Sequence, residues 1–403
     1  MDSSAALAEA TPNGDASTRV LVPWALWRGR DRINEARWFG PEVRLHQALR
    51  MWQLKGMKKS WNALALLCVA SVATAVAAEP RPAKGGDMSM PVAAAAGWLN
   101  SGPQTAADLR GKVVVVQFWT YTCINWRRTL PYIRAWDEKY REQGLVVIGV
   151  HTPEFDFEEN VDNVRSALGE MHINYPVAID NQRVIWTAFH NVYWPALYLL
   201  DAKGQVRYRQ FGEGEYARTE REIQKLLTEA GGHPSSHLAE VAPLGAEVPA
   251  DVANLRSPES YVGYEMAERF ASKGGTVPNR RHEYVAANHV SLNEWALSGS
   301  WTMARQAAVL DAVNGKIVYR FHARDLNLVM APSVLGTPVR FRVLIDGHSP
   351  GPASGADIDE EGYGSVSEAR MYQLIRQPGR IADQECVIEF FSSGVSVYDF
   401  TFG

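Results

Sequence analysis

The run Val113-Val114-Val115-Val116-Gln117-Phe118-Trp119-Thr120-Tyr121-Thr122-Cys123-Ile124-Asn125-Trp126 decides how this chain is read. Its opening is apolar and β-branched, the composition of a buried strand. Its close places one cysteine just before a helix-like segment running from about Arg127 to Tyr140. At a helix N-terminus the unpaired backbone N–H groups and the positive end of the macrodipole favour a thiolate. Arg127 and Arg128 add positive charge nearby, so a depressed pKa is expected for Cys123. A dithiol site of the form Cys-x-x-Cys requires a second cysteine at position 126, where Trp126 stands. In such a site the second thiol attacks the mixed disulfide and releases the product. Cys123 alone can accept a mixed disulfide, join glutathione or oxidise to sulfenic acid, with release left to an external thiol. The bland alternative is an inert cysteine kept as a small residue at a helix start.

The chain has 403 residues, enough for two folded domains, with 46% hydrophobic and 10% aromatic residues to fill their cores. A net charge of −4 gives no basis for nucleic-acid binding. The three cysteines, Cys68, Cys123 and Cys386, exclude a disulfide scaffold and a multi-cysteine zinc site, and no cofactor or metal is expected. Residues 57–78 read as a secretory signal peptide: Lys58 and Lys59 as the positive region, Ala63 to Ala70 as the apolar region, and Ala75-Val76-Ala77 as a cleavage site. The expected product is periplasmic or secreted, with no stable membrane span once the signal is cleaved. Met57 is then a natural start, and residues 1–56 read as a non-native or disordered extension.

Strands are expected at 113–118, 145–150, 176–180, 196–201 and 205–211, with helices at 127–140, 157–172, 184–190 and 218–230 and a turn at 108–112. This is β-α-β-α-β-β-α order, with a parallel half and an antiparallel hairpin. The Gly-, Pro- and Ser-rich stretch 236–256 reads as a linker between an α/β domain at 79–235 and an all-β sandwich at 257–403. Sandwich strands are expected at 316–323, 326–330, 339–345, 369–376 and 386–391. Cys386 alternates with Ile388 and Phe390, as core filler does. His233 and His237 have metal-ligand spacing but sit among Pro and Ser. The acidic loop 355–362 carries Asp357, Asp359 and Glu361 at alternate positions, a spacing compatible with calcium.

Several blocks together resemble the soluble thioredoxin region of bacterial DipZ-type proteins. They are Phe118 to Asn125, Gly149-Val150-His151-Thr152-Pro153-Glu154, Tyr193-Trp194-Pro195-Ala196 and Phe211-Gly212-Glu213-Gly214. Pro131, eight residues after Cys123, matches the helix proline of thioredoxins. Ser257-Pro258-Glu259-Ser260-Tyr261-Val262-Gly263 and Tyr398-Asp399-Phe400-Thr401-Phe402-Gly403 resemble that family's C-terminal domain. The resemblance implies a thioredoxin-like domain followed by a jelly-roll sandwich like a carbohydrate-binding module, with roles in cytochrome c biogenesis and disulfide reduction. It makes Pro195 the cis-proline whose loop faces the active cysteine and receives substrate backbone. It also makes Trp126 a departure from the family's second cysteine.

Three functions compete. The first is a monothiol exchanging disulfides with protein or low-molecular-weight thiols, with Trp119, Trp126 and Trp194 shaping the surface around Cys123 or simply packing. The second is a thiol peroxidase: Thr120-x-x-Cys123 has peroxiredoxin spacing, although the proline expected four residues earlier is Val116. The third is a redox-inactive binder acting through the sandwich, with a glycan as candidate ligand.

Overall fold

The computed structural model describes residues 87–334 and 336–403, which fall in one compact unit. The leader pattern at 57–78, the extension 1–56 and Cys68 lie outside the described residues.

The first half is built on strand β2 (Val113–Trp119), every residue of which is buried. Such a strand needs cover on both faces, and its period of two splits it between two cores. Val113, Val115 and Trp119 face helices α3 (Ile124–Tyr140), α4 (Val161–Glu170) and α6 (Tyr216–Glu229). Val114, Val116 and Phe118 face α1 (Ser89–Val92), α2 (Ala106–Leu109) and α5 (Val184–Ala188). With β1 (Gly97–Leu99), β3 (Leu145–His151), β4 (Val177–Ile179), β5 (Ala196–Leu200) and β6 (Val206–Phe211), the sheet order is β1-β4-β3-β2-β5-β6. The β2–β3 and β3–β4 pairs are parallel, while β1, β5 and β6 join antiparallel.

Two local expectations are corrected. The turn at 108–112 is preceded by a helical turn, because Thr105 and Asp108 form a reciprocal capping box. The helix expected over 157–172 begins only at Val161, where Asn160 caps the Asp162 N–H at 2.9 Å. The preceding residues Asp156–Glu159 form a tight 3₁₀ turn, whose Glu158 carboxylate accepts the Glu154 and Phe155 N–H groups at 2.7 and 3.0 Å.

The second half is antiparallel: β7 (Ser260–Tyr261), β8 (Arg281–Tyr284), β9 (Trp295–Met303), β10 (Ala308–Leu310), β11 (Lys316–Phe321), β12 (Asp325–Pro332), β13 (Val339–Ile345), β14 (Tyr363–Val366), β15 (Arg370–Arg376), β16 (Gln384–Phe390) and β17 (Val395–Phe402). One layer runs β14-β13-β16-β11-β9 and the other β9-β10-β17-β12-β15. Strand β9 serves both. Trp295 to Ser298 pair with β11, and the stretch from Gly299 on pairs with β8 and β10. Gly299 stands at the changeover with φ 95°, a conformation that suits glycine. Cys386 is buried with Ile388 and Phe390 in this core, as its alternation indicates.

The segment between the halves is fastened to the first one. Arg134 pairs with Glu247 at 2.7 Å, and the Ala239 N–H donates to Glu220 at 2.7 Å. A small apolar seam of Ile124, Phe155, Val329 and Met371, flanked by Tyr261 and Tyr398, joins residues of both halves.

Candidate thiol site

Cys123 is the N-cap residue of α3, at φ −70°, ψ 111°, and its carbonyl accepts the Arg127 N–H at 3.0 Å. The backbone N–H groups of Asn125 and Trp126 favour its thiolate, as a helix start should. They are outweighed. The side chain is only 6% exposed, and burial, reinforced by the nearby carboxylates Glu259 and Glu154, pushes the thiol well above its ordinary range. The depressed pKa expected for Cys123 is therefore corrected. The two arginines do not compensate. Arg128 is buried and committed to Glu213 at 2.9 Å and to the Phe402 carbonyl at 3.1 Å. Arg127 is itself disfavoured as a cation by burial and by Arg370.

Trp126 points inward. Its indole is fully buried, stacks on Trp119 at 4.2 Å and donates to Gln117 Oε1 at 3.2 Å. Gln117 in turn donates to Thr129 at 2.8 Å, which donates to the Trp126 carbonyl at 2.7 Å. Trp119 fits because position 149 is glycine: a Cβ there would lie 2.7 Å from Trp119 Nε1. The two tryptophans are thus core, and a surface role for Trp119 or Trp126 is corrected. Thr120 is also fully buried. His151 sits between Trp119, edge-on at 5.0 Å, and Tyr121, stacked at 5.8 Å. Neither of its ring nitrogens has a partner, and burial drives its pKa down to about 3, so it stays neutral.

The Trp194–Pro195 peptide is cis, and the Pro195 carbonyl accepts the Gly212 N–H at 2.8 Å. Trp194 donates to the Thr152 carbonyl at 3.0 Å and packs against both cores of the first half. The Arg183 guanidinium lies 5.1 Å from its ring.

Three carboxyls that no motif singled out gather where the loop after β3 meets β7 and β17. Glu154 comes from the loop after β3, Glu259 from the entry to β7 and Asp399 from β17. Tyr261 OH donates to Glu154 Oε1. Burial raises all three carboxyls, with repulsion from Glu259 adding to it at Glu154 and Asp399: Glu154 rises to about 8, Glu259 to about 7 against the pull of its hydrogen bonds with Asp399 and Tyr261, and Asp399 well above its usual range. The available signal was that each of three blocks carrying the resemblance contains one of these acids.

Among the described residues no group of three or more His, Cys, Asp or Glu side chains is arranged to hold a metal. In the 355–362 loop Asp357 is engaged by Arg370 and the Gln373 N–H, both at 2.7 Å, and Asp359 accepts the Tyr363 N–H at 2.7 Å, so the carboxylates do not converge on a calcium position.

The family model described as "Thioredoxin like C-terminal domain" matches residues 257–403, and the AhpC/TSA family model matches 89–209. Protein DipZ of Mycobacterium tuberculosis is 37% identical over 247 residues, 60% of this chain and 35% of that protein. The thiol-disulfide oxidoreductase YkuV of Bacillus subtilis is 30% identical over 133 residues, 33% of this chain and 88% of YkuV. The chain belongs to the thioredoxin-like thiol-disulfide oxidoreductase family. It spans about a third of the length of DipZ. The thiol-disulfide oxidoreductase ResA of Bacillus cereus is 29% identical over 119 residues, 30% of this chain and 66% of ResA.

Within this thioredoxin-like frame the chemistry has one nucleophile. Cys386 belongs to the sandwich core, so among the described residues Cys123 has no resolving thiol. A thiol held protonated slows peroxide reduction and disulfide attack alike, since both require the thiolate.

Proposed function

We propose that this thioredoxin-like protein is an exported monothiol exchanger. Cys123 attacks a protein or small-molecule disulfide, keeps one half as a mixed disulfide and releases the other as a thiol. An external thiol then frees Cys123. The placement of Cys123 at the N-cap of α3, directly after β2, carries this reading. Trp126 in the inward position makes the exchange one-armed. The leader pattern at 57–78 supports export to the periplasm or beyond, and no helix among the described residues is long and apolar enough to cross a membrane. The C-terminal sandwich supplies a second surface, for which a glycan is the candidate ligand.

Incubation with glutathione disulfide followed by mass spectrometry tests the reading. A glutathione adduct on Cys123 that disappears with added dithiothreitol is expected, and Cys123→Ser abolishes it. Alkylation should be slow at pH 7 and should accelerate only above the range of an ordinary thiol. Absence of an adduct across pH 6–10 would leave the redox-inactive binder as the better reading. Rapid sulfenylation by dilute peroxide at pH 7 would favour the peroxidase.

A further inference from the structure

We propose that a cavity beside the head of α3, walled by Tyr121 and Arg127 and completed by the sandwich, binds the α-amino-acid end of a small disulfide. Its carboxylate lies against Arg127 and its ammonium toward Glu170 and Glu368. This names the substrate class of the thiol site and rests on the monothiol reading above.

The cavity holds about 150 Å³, room for a group of roughly benzene size. Both halves contribute to it. Tyr121 and Arg127 flank Cys123 in sequence, Asn163 and Glu170 stand on α4, Glu368 lies in the turn before β15 and Arg370 is the first residue of β15. None of the residues lining it belongs to the Pro195 loop. Arg127 follows the N-cap Cys123 by four residues, about 6 Å along the helix axis, and its backbone N–H donates to the Cys123 carbonyl at 3.0 Å. Half of a disulfide, two or three residues long, spans roughly 7–10 Å when extended, enough to join the thiol to the cavity.

Two polar groups on its wall are left open. Among the described residues the half-buried Arg127 guanidinium makes no ion pair and no hydrogen bond. Its neighbour Arg370 is committed: it pairs with Asp357 at 2.7 Å and lies 3.8 Å from the centre of the Tyr372 ring. Burial and Arg370 both weigh against the Arg127 charge, a cost that an incoming carboxylate offsets. Tyr121 is 2% exposed, and its hydroxyl is buried without a hydrogen-bond partner. Asn163, on the same wall, donates to the Phe157 carbonyl at 3.0 Å. A guanidinium fork and a phenol O–H are donors suited to a carboxylate. Glu170 and Glu368 line the cavity as exposed residues, acceptors for an ammonium. A simple anion would meet repulsion from these two acids, whereas an α-amino-acid end finds a partner for each of its charges. Held there, the substrate meets Cys123 as in the exchange above. The Cys123 proton goes to water, a Cys123 S–S bond forms, the substrate S–S bond breaks, and the departing thiolate takes a proton from water.

The test begins with S-methylglutathione, which carries the amino-acid end but neither thiol nor disulfide, titrated into the full chain by calorimetry. Binding is expected, weakened roughly tenfold in Arg127→Gln and roughly threefold in Tyr121→Phe, with melting curves confirming that both variants fold. Adduct formation on Cys123 is then timed with glutathione disulfide, cystine and bis(2-hydroxyethyl) disulfide, the last of which lacks both charges. The ratio of charged to uncharged rates cancels any change in the thiol itself. It should be about ten or more and fall toward one in Arg127→Gln. A higher ratio for cystine assigns the site to a single amino acid, and a higher ratio for glutathione disulfide to a peptide-borne amino-acid end. Absence of S-methylglutathione binding, a ratio near one, or a ratio that survives Arg127→Gln overturns the proposal, while an adduct with bis(2-hydroxyethyl) disulfide leaves the monothiol reading standing. A protein that binds S-methylglutathione but forms no adduct with any disulfide defeats the monothiol reading instead.

Discussion

Trp126 and Gly149 depend on each other through Trp119. The stacked indoles fill the space that the glycine leaves open. Gly149→Ala should force Trp119 to shift and lower stability by roughly 1–3 kcal/mol, read as a lower urea midpoint with an unchanged slope. Trp126→Cys restores a Cys-x-x-Cys spacing and should create insulin-reducing activity. It also removes a buried indole and its bond to Gln117, a loss of roughly 3–5 kcal/mol, so the gain should appear only at moderate temperature. No gain in a folded variant would mean that the thiol's surroundings, as well as its missing partner, have departed from dithiol chemistry. The position of Cys123 at the end of a strand and the head of a helix was legible from a few residues. Its protonation was not, because burial in the folded protein is its main cause and Glu259, far along the chain, reaches it only through tertiary packing.

Among the elements, β2 and α3 were read almost to their ends, since a fully apolar β-branched run and a long periodic helix leave little choice. The short pieces were harder. The helical turn at 106–109 depends on one capping box, and the late start of α4 on the Asn160 cap. Strand β9 was hidden for another reason: its residues satisfy two sheets in succession, so neither face keeps a steady alternation. Helix α3 also carries a tie between the halves, from Arg128 to the Phe402 carbonyl. Arg128→Met removes the partner of Glu213 and the donor to the Phe402 carbonyl. It should lower stability by roughly 3 kcal/mol. It should also separate a single unfolding transition into two, followed by calorimetry.

For the molecule as a whole, a half-buried carboxyl pair and a buried histidine pull the pH dependence of stability in opposite directions. The Glu154 and Glu259 carboxyls have folded pKa values raised from 4.5 to about 8 and about 7. Their contribution is complete below pH 4.5 and is lost as pH rises through 7–8. His151 runs the other way: depressed from 6.5 to about 3, it favours the fold above pH 6.5 and withdraws that support as pH falls toward 3. The melting temperature should be higher at pH 5.5 than at pH 8.5. A Glu154→Gln/Glu259→Gln double variant should flatten the alkaline fall and leave the acid one in place. Both halves of this architecture were visible in the sequence as an α/β pattern followed by a β pattern. The seam between them was not, because its members are single residues scattered over four segments.

The inward Trp126 has a temporal consequence. A dithiol enzyme clears its own intermediate, so its bound state lasts as long as one internal step. Here nothing within the described residues can do that, and the lifetime of any adduct on Cys123 passes to the surroundings. The lifetime shortens in proportion to the concentration of reducing thiol outside. On the proposed monothiol reading, the protein would behave less as a turnstile than as a slow clock, whose rate is wound by the redox state of its compartment.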